Sequence, residues 1–138
     1  MSLACIANRS LLLLALLTAG CSRQDPNKGE VKGMVMVDGQ PAASGAVTFT
    51  PVDGQSSTSG GKIMDGQYSV QASTGTARVA IRVPKVVGER KLYDTADSPV
   101  RQVLKESLPS QYNDSTTLTF DVKPGLNEHN FELKSKNN

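Results

Sequence analysis

Few side chains in this sequence could carry out covalent chemistry. The 138 residues include two cysteines, Cys5 and Cys21, and a single histidine, His129. A Cys-His nucleophile needs a free thiol in the mature chain, whereas Cys5 and Cys21 both belong to the N-terminal segment of residues 1–21, and a zinc site needs several cysteine or histidine ligands. The sequence contains no G-x-S-x-G elbow, and the serines of residues 53–61 lie in a glycine-rich polar segment that would hold a nucleophile poorly. We therefore predict that the chain is not an enzyme and uses no metal and no cofactor.

The first 20 residues have the organisation of an export signal. Arg9 precedes the apolar run LLLLALL at residues 11–17, and the small residues TAG at 18–20 lead to Cys21. This order matches the charged, apolar and small-residue regions of a secretory signal. The apolar run is far shorter than the roughly 20 residues that a membrane-spanning helix needs. A buried helix of a soluble domain is the alternative, and the polar linker that follows the run disfavours it.

Residues 17–21, LTAGC, resemble the lipobox of bacterial lipoproteins. The resemblance implies that the sulfur of Cys21 receives a diacylglyceryl group, that the signal peptide 1–20 is removed, and that the new N-terminus is acylated (palmitate). Thr18 stands where the family usually has leucine, which is a mild departure. Ser22 stands where many Gram-negative bacteria use aspartate to retain a lipoprotein in the inner membrane. The resemblance therefore implies anchoring in the cell membrane or, preferably, the outer membrane, facing the periplasm or the exterior.

The mature chain that these features predict is nearly balanced in charge. Without Arg9, 14 of the 15 basic residues remain against 13 acidic residues, and tryptophan is absent. Because no basic stripe is visible and aromatic residues are few, nucleic acid is not an expected partner. Residues 21–29 contain Pro26, Asn27 and Gly29, and predict a tether between the lipid and one domain. The expected partners are the membrane, through the lipid anchor, and an envelope protein or a glycan.

From residue 30 onward, apolar residues alternate with polar ones at the period of a β-strand. The clearest case is Ala77, Val79, Ile81 and Val83, which share one face of a predicted strand at 76–83. Asp-Gly pairs and prolines mark the turns between strands. Seven short strands predict a single all-β domain, an antiparallel β-sandwich. The predicted strands are 30–37, 45–52, 62–64, 67–71, 76–83, 117–122 and 127–134.

Residues 85–116 are the least regular part of the sequence. Ser98 could cap a short helix that begins at Pro99, carries Val100, Val103 and Leu104 at helical spacing, and ends at Pro109. Long irregular segments in compact domains tend to be functional. We therefore predict a contact loop in this segment, formed by Tyr93, Tyr112, Asn113 and Asp114.

The order of short motifs along residues 30–134 resembles the carboxypeptidase regulatory-like domain, one of the transthyretin-like sandwiches. The resemblance implies a seven-stranded transthyretin-like fold without catalysis, which acts as a binding or structural module of the cell envelope. It leaves residues 135–138 as a loose tail. The transthyretin-like enzymes that act on hydroxyisourate use several histidines and a Y-R-G-S type C-terminus, which this chain lacks. The motifs are GMVMVDGQP at 33–41, GAVTFTP at 45–51, DGQY at 65–68, TGTARVAIRV at 74–83, LPSQYND at 108–114 and NEHNFEL at 127–133.

Two other kinds of site remain as alternatives. The first is a carbohydrate- or polymer-binding module, for which Tyr93 and Tyr112 are the aromatic candidates. The second is a calcium site, since oxygen ligands are present in several loops. None of them has the spacing of a known calcium loop, so we interpret them as solvated turn residues. These residues are Asp53, Asp65, Asp94, Asp97, Asn113 and Asp114.

Overall fold

The computed structural model of this chain describes residues 24–136. Within that range the protein is all-β, as predicted, and its one helical element is the short 3-10 turn Ser110–Tyr112. No helix among residues 24–136 is long and apolar enough to cross a membrane. The strands are β1 (Lys28–Val37), β2 (Gln40–Pro41), β3 (Ser44–Pro51), β4 (Ser59–Met64), β5 (Gln67–Ser73), β6 (Gly75–Arg82), β7 (Pro84–Lys91), β8 (Val100–Glu106), β9 (Thr119–Val122), β10 (Gly125–Glu128) and β11 (Phe131–Leu133).

The core forms where the alternating apolar residues of the strands face inward. In β6, Ala77, Val79 and Ile81 are buried, whereas Arg78 and Arg82 between them are exposed. Burial of a large aliphatic or aromatic side chain stabilises the fold by about 1.5–3 kcal/mol. The period of two in the sequence therefore identifies the inward faces correctly. The largest fully buried side chains are Phe49, Ile63, Ile81, Leu108, Val31, Val35, Val47 and Val79.

Two Asp-Gly pairs close tight hairpins at the predicted positions. Asp38 and Gly39 have φ angles of 52° and 79°, and Asp65 and Gly66 have φ angles of 50° and 80°. Positive φ at both central residues is the requirement of the two-residue turn that matches the twist of paired strands. These turns join β1 to β2 and β4 to β5.

The main sheet curls until its two ends meet. Its strand order is β10-β1-β5-β4-β3-β6-β9, so β9 and β10 lie at opposite ends of the path. A two-residue connection, Lys123 and Pro124, nevertheless joins these strands. The buried Asn127 holds this corner, because its Nδ2 donates to the carbonyl oxygen of Lys123 at 2.7 Å and its Oδ1 accepts from the Lys123 N–H at 3.0 Å.

The last predicted strand, 127–134, is interrupted. β10 and β11 both pair with β1, and they do so in parallel, so the prediction of a purely antiparallel arrangement is wrong for these pairs. His129 and Asn130 lie between β10 and β11. There the N–H of Met34 donates to the side-chain Oδ1 of Asn130 at 2.8 Å, and the N–H of His129 donates to the carbonyl of Lys32 at 2.9 Å. A side chain thus replaces a backbone acceptor where the ladder breaks.

The predicted short helix at residues 98–109 is wrong. Residues 100–106 form β8, which pairs antiparallel with β7 in a hairpin separate from the main sheet. Ser98 accepts a hydrogen bond from the N–H of Tyr93 at 2.7 Å, so it closes the connection between the two strands and caps no helix. The predicted irregular segment 85–116 is therefore largely a β-hairpin followed by the 3-10 turn.

The predicted tail is attached to the domain at its first residues. Ser135 donates from its N–H and its hydroxyl to the carboxylate of Asp38, and the N–H of Lys136 donates to the carbonyl of Ser107 at 2.9 Å. Residues 135 and 136 are therefore not loose. The predicted signal peptide 1–20, Cys21 and the start of the predicted tether lie outside the described residues, as do residues 137 and 138.

Candidate functional site

The β7–β8 hairpin stands apart from the curled sheet. Each of its strands pairs with the other and with no strand of the main sheet. All of β7 beyond Pro84 is exposed, and so is all of β8 before Glu106. An isolated two-stranded hairpin is marginally stable in water, and exposed apolar patches commonly mark contact sites. The exposed large apolar residues of the hairpin are Val86, Val87, Leu92, Tyr93, Val100, Val103 and Leu104.

The base of the hairpin is clasped to the domain by Glu106. Its Oε1 accepts hydrogen bonds from the N–H groups of Val83 and Leu108, each at 3.0 Å. Ser107 adds two bonds to the carbonyl of Val83, from its N–H and from its hydroxyl. Since Leu108 is fully buried, the clasp fixes the start and the end of the hairpin to the core.

The register divides the hairpin into two faces of different chemistry. Residues that lie opposite each other share a face, and successive residues of a strand point to opposite faces. Val86 pairs with Leu104, and Val100 lies four residues before Leu104 in β8, on the same face. We call this the apolar face; its three apolar side chains are 52–58% exposed, and Glu89, Lys91 and Gln102 lie on it beside them.

The other face collects four positive charges. Lys85 lies opposite Lys105, and Arg90 lies opposite Arg101. Val103 lies between the two pairs in β8. Within the described chain, none of these four cations forms an ion pair. We call this the cationic face.

The cationic face differs from the charge distribution that the sequence predicted. The expectation that the chain has no basic stripe is wrong for this hairpin, because β-pairing brings together cations that are far apart in the sequence. Like charges directly opposite each other on paired strands destabilise a hairpin. The arrangement therefore has a cost that the fold alone does not explain. The exclusion of nucleic acid as a partner stays a prediction.

A small cavity of about 230 Å³ lies at the base of the cationic face. Lys85, Lys105 and Lys136 line it, together with Val87 and with the clasp residues Glu106 and Ser107 and the hydroxyl-bearing Ser135. Three ammonium groups outnumber the one carboxylate, whose Oε1 already accepts two backbone hydrogen bonds. This net positive lining favours a negatively charged occupant.

Asp38 belongs to the same end of the domain. Hydrogen bonds from the hydroxyl and then the N–H of Ser135 lower the pKa of its carboxyl group, and the positive charge of Lys85 adds to the effect. Its carboxylate therefore holds the C-terminal segment in place beside the hairpin.

The structure separates the four residues of the predicted contact loop. Tyr93 lies in the connection of the hairpin and is 67% exposed. Tyr112 packs against the core at the 3-10 turn, and Asn113 is 6% exposed. Asp114 forms an ion pair with Arg82 of β6 and lies outside the hairpin. Tyr93 is thus the one member of the set that lies on the exposed hairpin.

Asn113 carries the one buried side-chain polar atom without a hydrogen-bond partner in the described part of the chain. Its Oδ1 accepts from the N–H of Asp114 at 2.8 Å, while its Nδ2 has no partner. Buried polar groups are ordinarily hydrogen-bonded, to protein or to water. The side chain orders the turn that follows Tyr112 and does not reach a surface.

His129 occupies a packing position. Its ring is half-buried between Phe120 and Phe131, with ring centroids 4.9 and 4.6 Å away. Its carbonyl accepts the hydroxyl of Tyr68 at 2.7 Å. His129 therefore lies at the rim of the core, packed against two aromatic side chains.

The acidic loop residues do not assemble into a cation site. Asp53 uses its carboxylate to accept hydrogen bonds from Gln55 and from the N–H and hydroxyl of Ser56. These bonds, those of Ser56 first, lower the pKa of Asp53. Among residues 24–136 no group of three or more His, Cys, Asp or Glu side chains could hold a metal ion.

A second concavity of about 680 Å³ lies on the outer face of β4, β5 and β1. Met34 and Met64 line it, beside an ion pair of 3.7 Å between Lys32 and Glu128. Its charges are of both signs and largely exposed, so it offers no consistent electrostatic preference. Sequence reasoning missed this groove as well as the cationic face. Its signal was the pair of methionines that the period of two places on outward faces.

Compared with protein-family models, with curated proteins and with solved structures, the chain has no significant match. The candidate site is therefore defined by this chain's own geometry. The hairpin is the stronger candidate, because it combines exposed apolar residues with a face of one charge sign.

Proposed function

We propose that this protein is a non-catalytic, lipid-anchored module of the cell envelope that binds its partner through the β7–β8 hairpin. The observation that carries this proposal is that the hairpin lies outside the main sheet, with seven large apolar side chains exposed. A fold that needed this segment for stability would bury such side chains. The second candidate function, a carbohydrate- or polymer-binding module, is favoured by the four cations of the cationic face.

The lipid anchor is supported by the sequence around Cys21. The apolar run, the small residues and the cysteine occur in the order that lipid modification requires, and a polar tether follows. Two or three acyl chains would give stable anchoring, since each buried CH₂ contributes about 0.8 kcal/mol. The same features support the cell membrane or the outer membrane as the location, with the domain facing the periplasm or the exterior.

Membership of the transthyretin-like sandwiches, as a carboxypeptidase regulatory-like domain, is also part of the proposal. It is supported by the motif order of residues 33–133 and by the two Asp-Gly hairpins in their expected positions. A curled, mostly antiparallel sheet is compatible with that fold.

The tether and the hairpin lie at opposite ends of the domain. Strand β1 has ten residues, from Lys28 to Val37, and therefore spans about 30 Å. The predicted tether of residues 21–29 overlaps the start of this strand, because Lys28 and Gly29 belong to β1, where Lys28 pairs with Ser73. The far end continues into Asp38, whose carboxylate accepts two hydrogen bonds from Ser135, and Ser135 lines one cavity with Lys85 of β7. A domain anchored through Cys21 would therefore present the hairpin away from its own membrane.

Mass spectrometry of the mature N-terminus tests the anchor. We expect an acylated cysteine as the first residue, and we expect Cys21→Ser to leave the protein unprocessed and unlipidated. Cys5→Ser is the matched control, because it removes a thiol within the signal and should leave lipidation intact. Membrane association and processing that survive Cys21→Ser would refute the anchor.

Cosedimentation with delipidated envelope fragments from the native cell tests the contact surface. Replacing residues 86–104 with a Gly-Asn turn keeps the Glu106 clasp and removes most of the hairpin. We expect the unaltered protein to bind the fragments and this variant to lose binding. The control variant Met64→Ser with Leu126→Ser removes two exposed apolar side chains elsewhere, and it should still bind. Loss of binding in the control alone would move the site away from the hairpin, to the part of the surface that carries these two residues.

A further inference from the structure

We propose that the cationic face of the hairpin binds a linear acidic glycan, one that carries negative groups on successive sugar units. This inference rests on the proposed function of the hairpin as the contact surface and names the ligand class for it. The apolar face and the groove on β4, β5 and β1 do not enter the argument.

The four cations of the cationic face repel one another. Lys85 opposite Lys105 and Arg90 opposite Arg101 are two like-charge pairs on one side of a single hairpin. Directly opposite residues have Cβ atoms about 4.5–5.5 Å apart, so each pair repels. No carboxylate among residues 24–136 forms an ion pair with any of the four. Of the four, Lys85 lies near enough to Asp38 to lower the pKa of that carboxyl group. An external anion would relieve the repulsion that remains at both pairs.

The cations form a row along the hairpin. Arg101 and Lys105 lie four residues apart on one strand, so the two cationic pairs are about 13 Å apart along the hairpin. Lys136 extends the row at the base, where it lines a cavity with Lys85 and Lys105. A row of this length fits a chain with repeated negative groups better than a single small anion.

The surface between the two cationic pairs is apolar. Val103 lies between the two pairs in β8, and it is 42% exposed. This single apolar side chain, flanked by cations, can contact the carbon-rich face of one sugar ring while the charged groups bind its acidic substituents. Arg90 and Arg101 add planar guanidinium groups, which bind carboxylates and similar oxyanions in a bidentate geometry.

Two other polyanions fit the geometry less well. A phospholipid surface would have to engage cations and apolar side chains together, whereas most of the apolar residues lie on the opposite face or at the tip of the hairpin. The membrane of the proposed anchor also lies at the other end of β1. Single-stranded nucleic acid binds through aromatic stacking platforms, and the cationic face carries no aromatic residue.

Binding is measured with the purified full chain in detergent micelles, by calorimetry against polygalacturonate and dextran sulfate. We expect saturable binding to both acidic glycans and none to neutral pullulan. Because the screening length falls from about 10 Å at 0.1 M salt to about 3 Å at 1 M salt, the affinity should fall steeply over that range. No binding to either acidic glycan at low salt would overturn the proposal.

Two matched quartets locate the site. Changing Lys85, Arg90, Arg101 and Lys105 to Gln should weaken binding by about tenfold or more. The control quartet carries the same change in net charge on other exposed surfaces and should retain most of the affinity. Equal losses in both quartets would show that binding follows net charge alone, which overturns the assignment to this face. The control positions are Lys28, Lys62, Arg78 and Lys123, all changed to Gln.

Binding to other polyanions and to the envelope distinguishes a failure of this inference from a failure of the proposed function. Tighter binding of the hairpin to phosphatidylglycerol-containing vesicles or to poly(dT) than to the acidic glycans would refute the ligand class and leave the hairpin as the contact surface. If the glycans bind but replacement of residues 86–104 leaves attachment to the envelope unchanged, the proposed function fails. An anchoring failure is detected separately, by the mass of the N-terminal residue.

Discussion

Changing one member of the like-charge pair Lys85 and Lys105 should raise the stability of the hairpin and lower its affinity for acidic glycans. Lys105→Glu places a carboxylate directly opposite Lys85. Like charges at this position destabilise, and opposite charges stabilise by about 0.2–1 kcal/mol. Replacing repulsion with attraction should therefore stabilise the hairpin by roughly 1 kcal/mol. That free energy corresponds to about a fivefold change in the closed-to-open equilibrium.

Hydrogen exchange of the hairpin amides measures this change, because the hairpin can open without the core. At low salt we expect the exchange of residues 84–91 and 100–106 to slow by about fivefold in Lys105→Glu. The gain should shrink at 1 M salt, where the screening length is about 3 Å. The same variant should bind acidic glycans more weakly, although its hairpin is more stable.

Lys123→Glu is the control, since it makes the same charge change at an exposed position in the turn between β9 and β10. It should leave hairpin exchange unchanged. If Lys105→Glu exchanges as fast as the control or faster at low salt, the reasoning that the cationic face is under electrostatic strain is refuted. A loss of glycan binding that occurs with faster exchange would point to unfolding of the hairpin.

Two further predictions concern the core. In Gly33→Ala, the new Cβ would overlap the carbonyl oxygen of His129, so we expect a loss of about 1–3 kcal/mol of unfolding free energy in urea denaturation. Gly88→Ala, where nothing lies within 4 Å of the new atom, should change it little, and equal effects would contradict the close approach at Gly33. Burial raises the pKa of Tyr68 above its usual range, so the folded state holds this proton more tightly than the unfolded chain does. Stability is then full below the usual tyrosine pKa of about 10 and falls as the pH rises above it, and Tyr68→Phe should flatten that alkaline loss. The same change should cost about 1 kcal/mol near neutral pH, because it removes the hydrogen bond to the backbone. An unchanged slope of stability between about pH 8 and about pH 11 would contradict the buried, neutral phenol.

The strands of the core could be predicted because their signal is local. In β5, Tyr68, Val70 and Ala72 alternate with exposed polar residues, and the Asp-Gly turn before Tyr68 fixes the register. The period of two identifies the buried face of each strand without knowledge of its neighbours. The period does not identify the pairing partner. The parallel pairing of β10 with β1 joins residues 96 positions apart, and nothing in either segment specifies it.

The hairpin was misinterpreted because its residues satisfy two patterns. Val100, Val103 and Leu104 fall at helical spacing, yet Val103 and Leu104 belong to opposite faces of β8. A β-bulge between Val86 and Gly88 shifts the pairing by one residue, so β7 shows no clean alternation. Short helices depend on packing, and no core surface is available to this segment.

The candidate site depends on the same non-local pairing. Lys85, Arg90, Arg101 and Lys105 are unremarkable along the sequence, where acidic residues interleave with them. They become one face only when the register of β7 and β8 is known. A composition with nearly equal numbers of acids and bases concealed that local asymmetry.

The clasp at Glu106 has a consequence for how this protein can change over generations. Glu106 and Ser107 tie Val83 to the start of the next buried segment, so the chain is fastened before and after the hairpin. Residues between these points contribute little to the core, so under the proposed function mutations there would be selected mainly through their effect on binding. The residues that form the core and the residues that would determine binding specificity therefore lie in separate segments of the chain. Related proteins could retain the scaffold, exchange the hairpin, and acquire new ligands without a loss of solubility or fold.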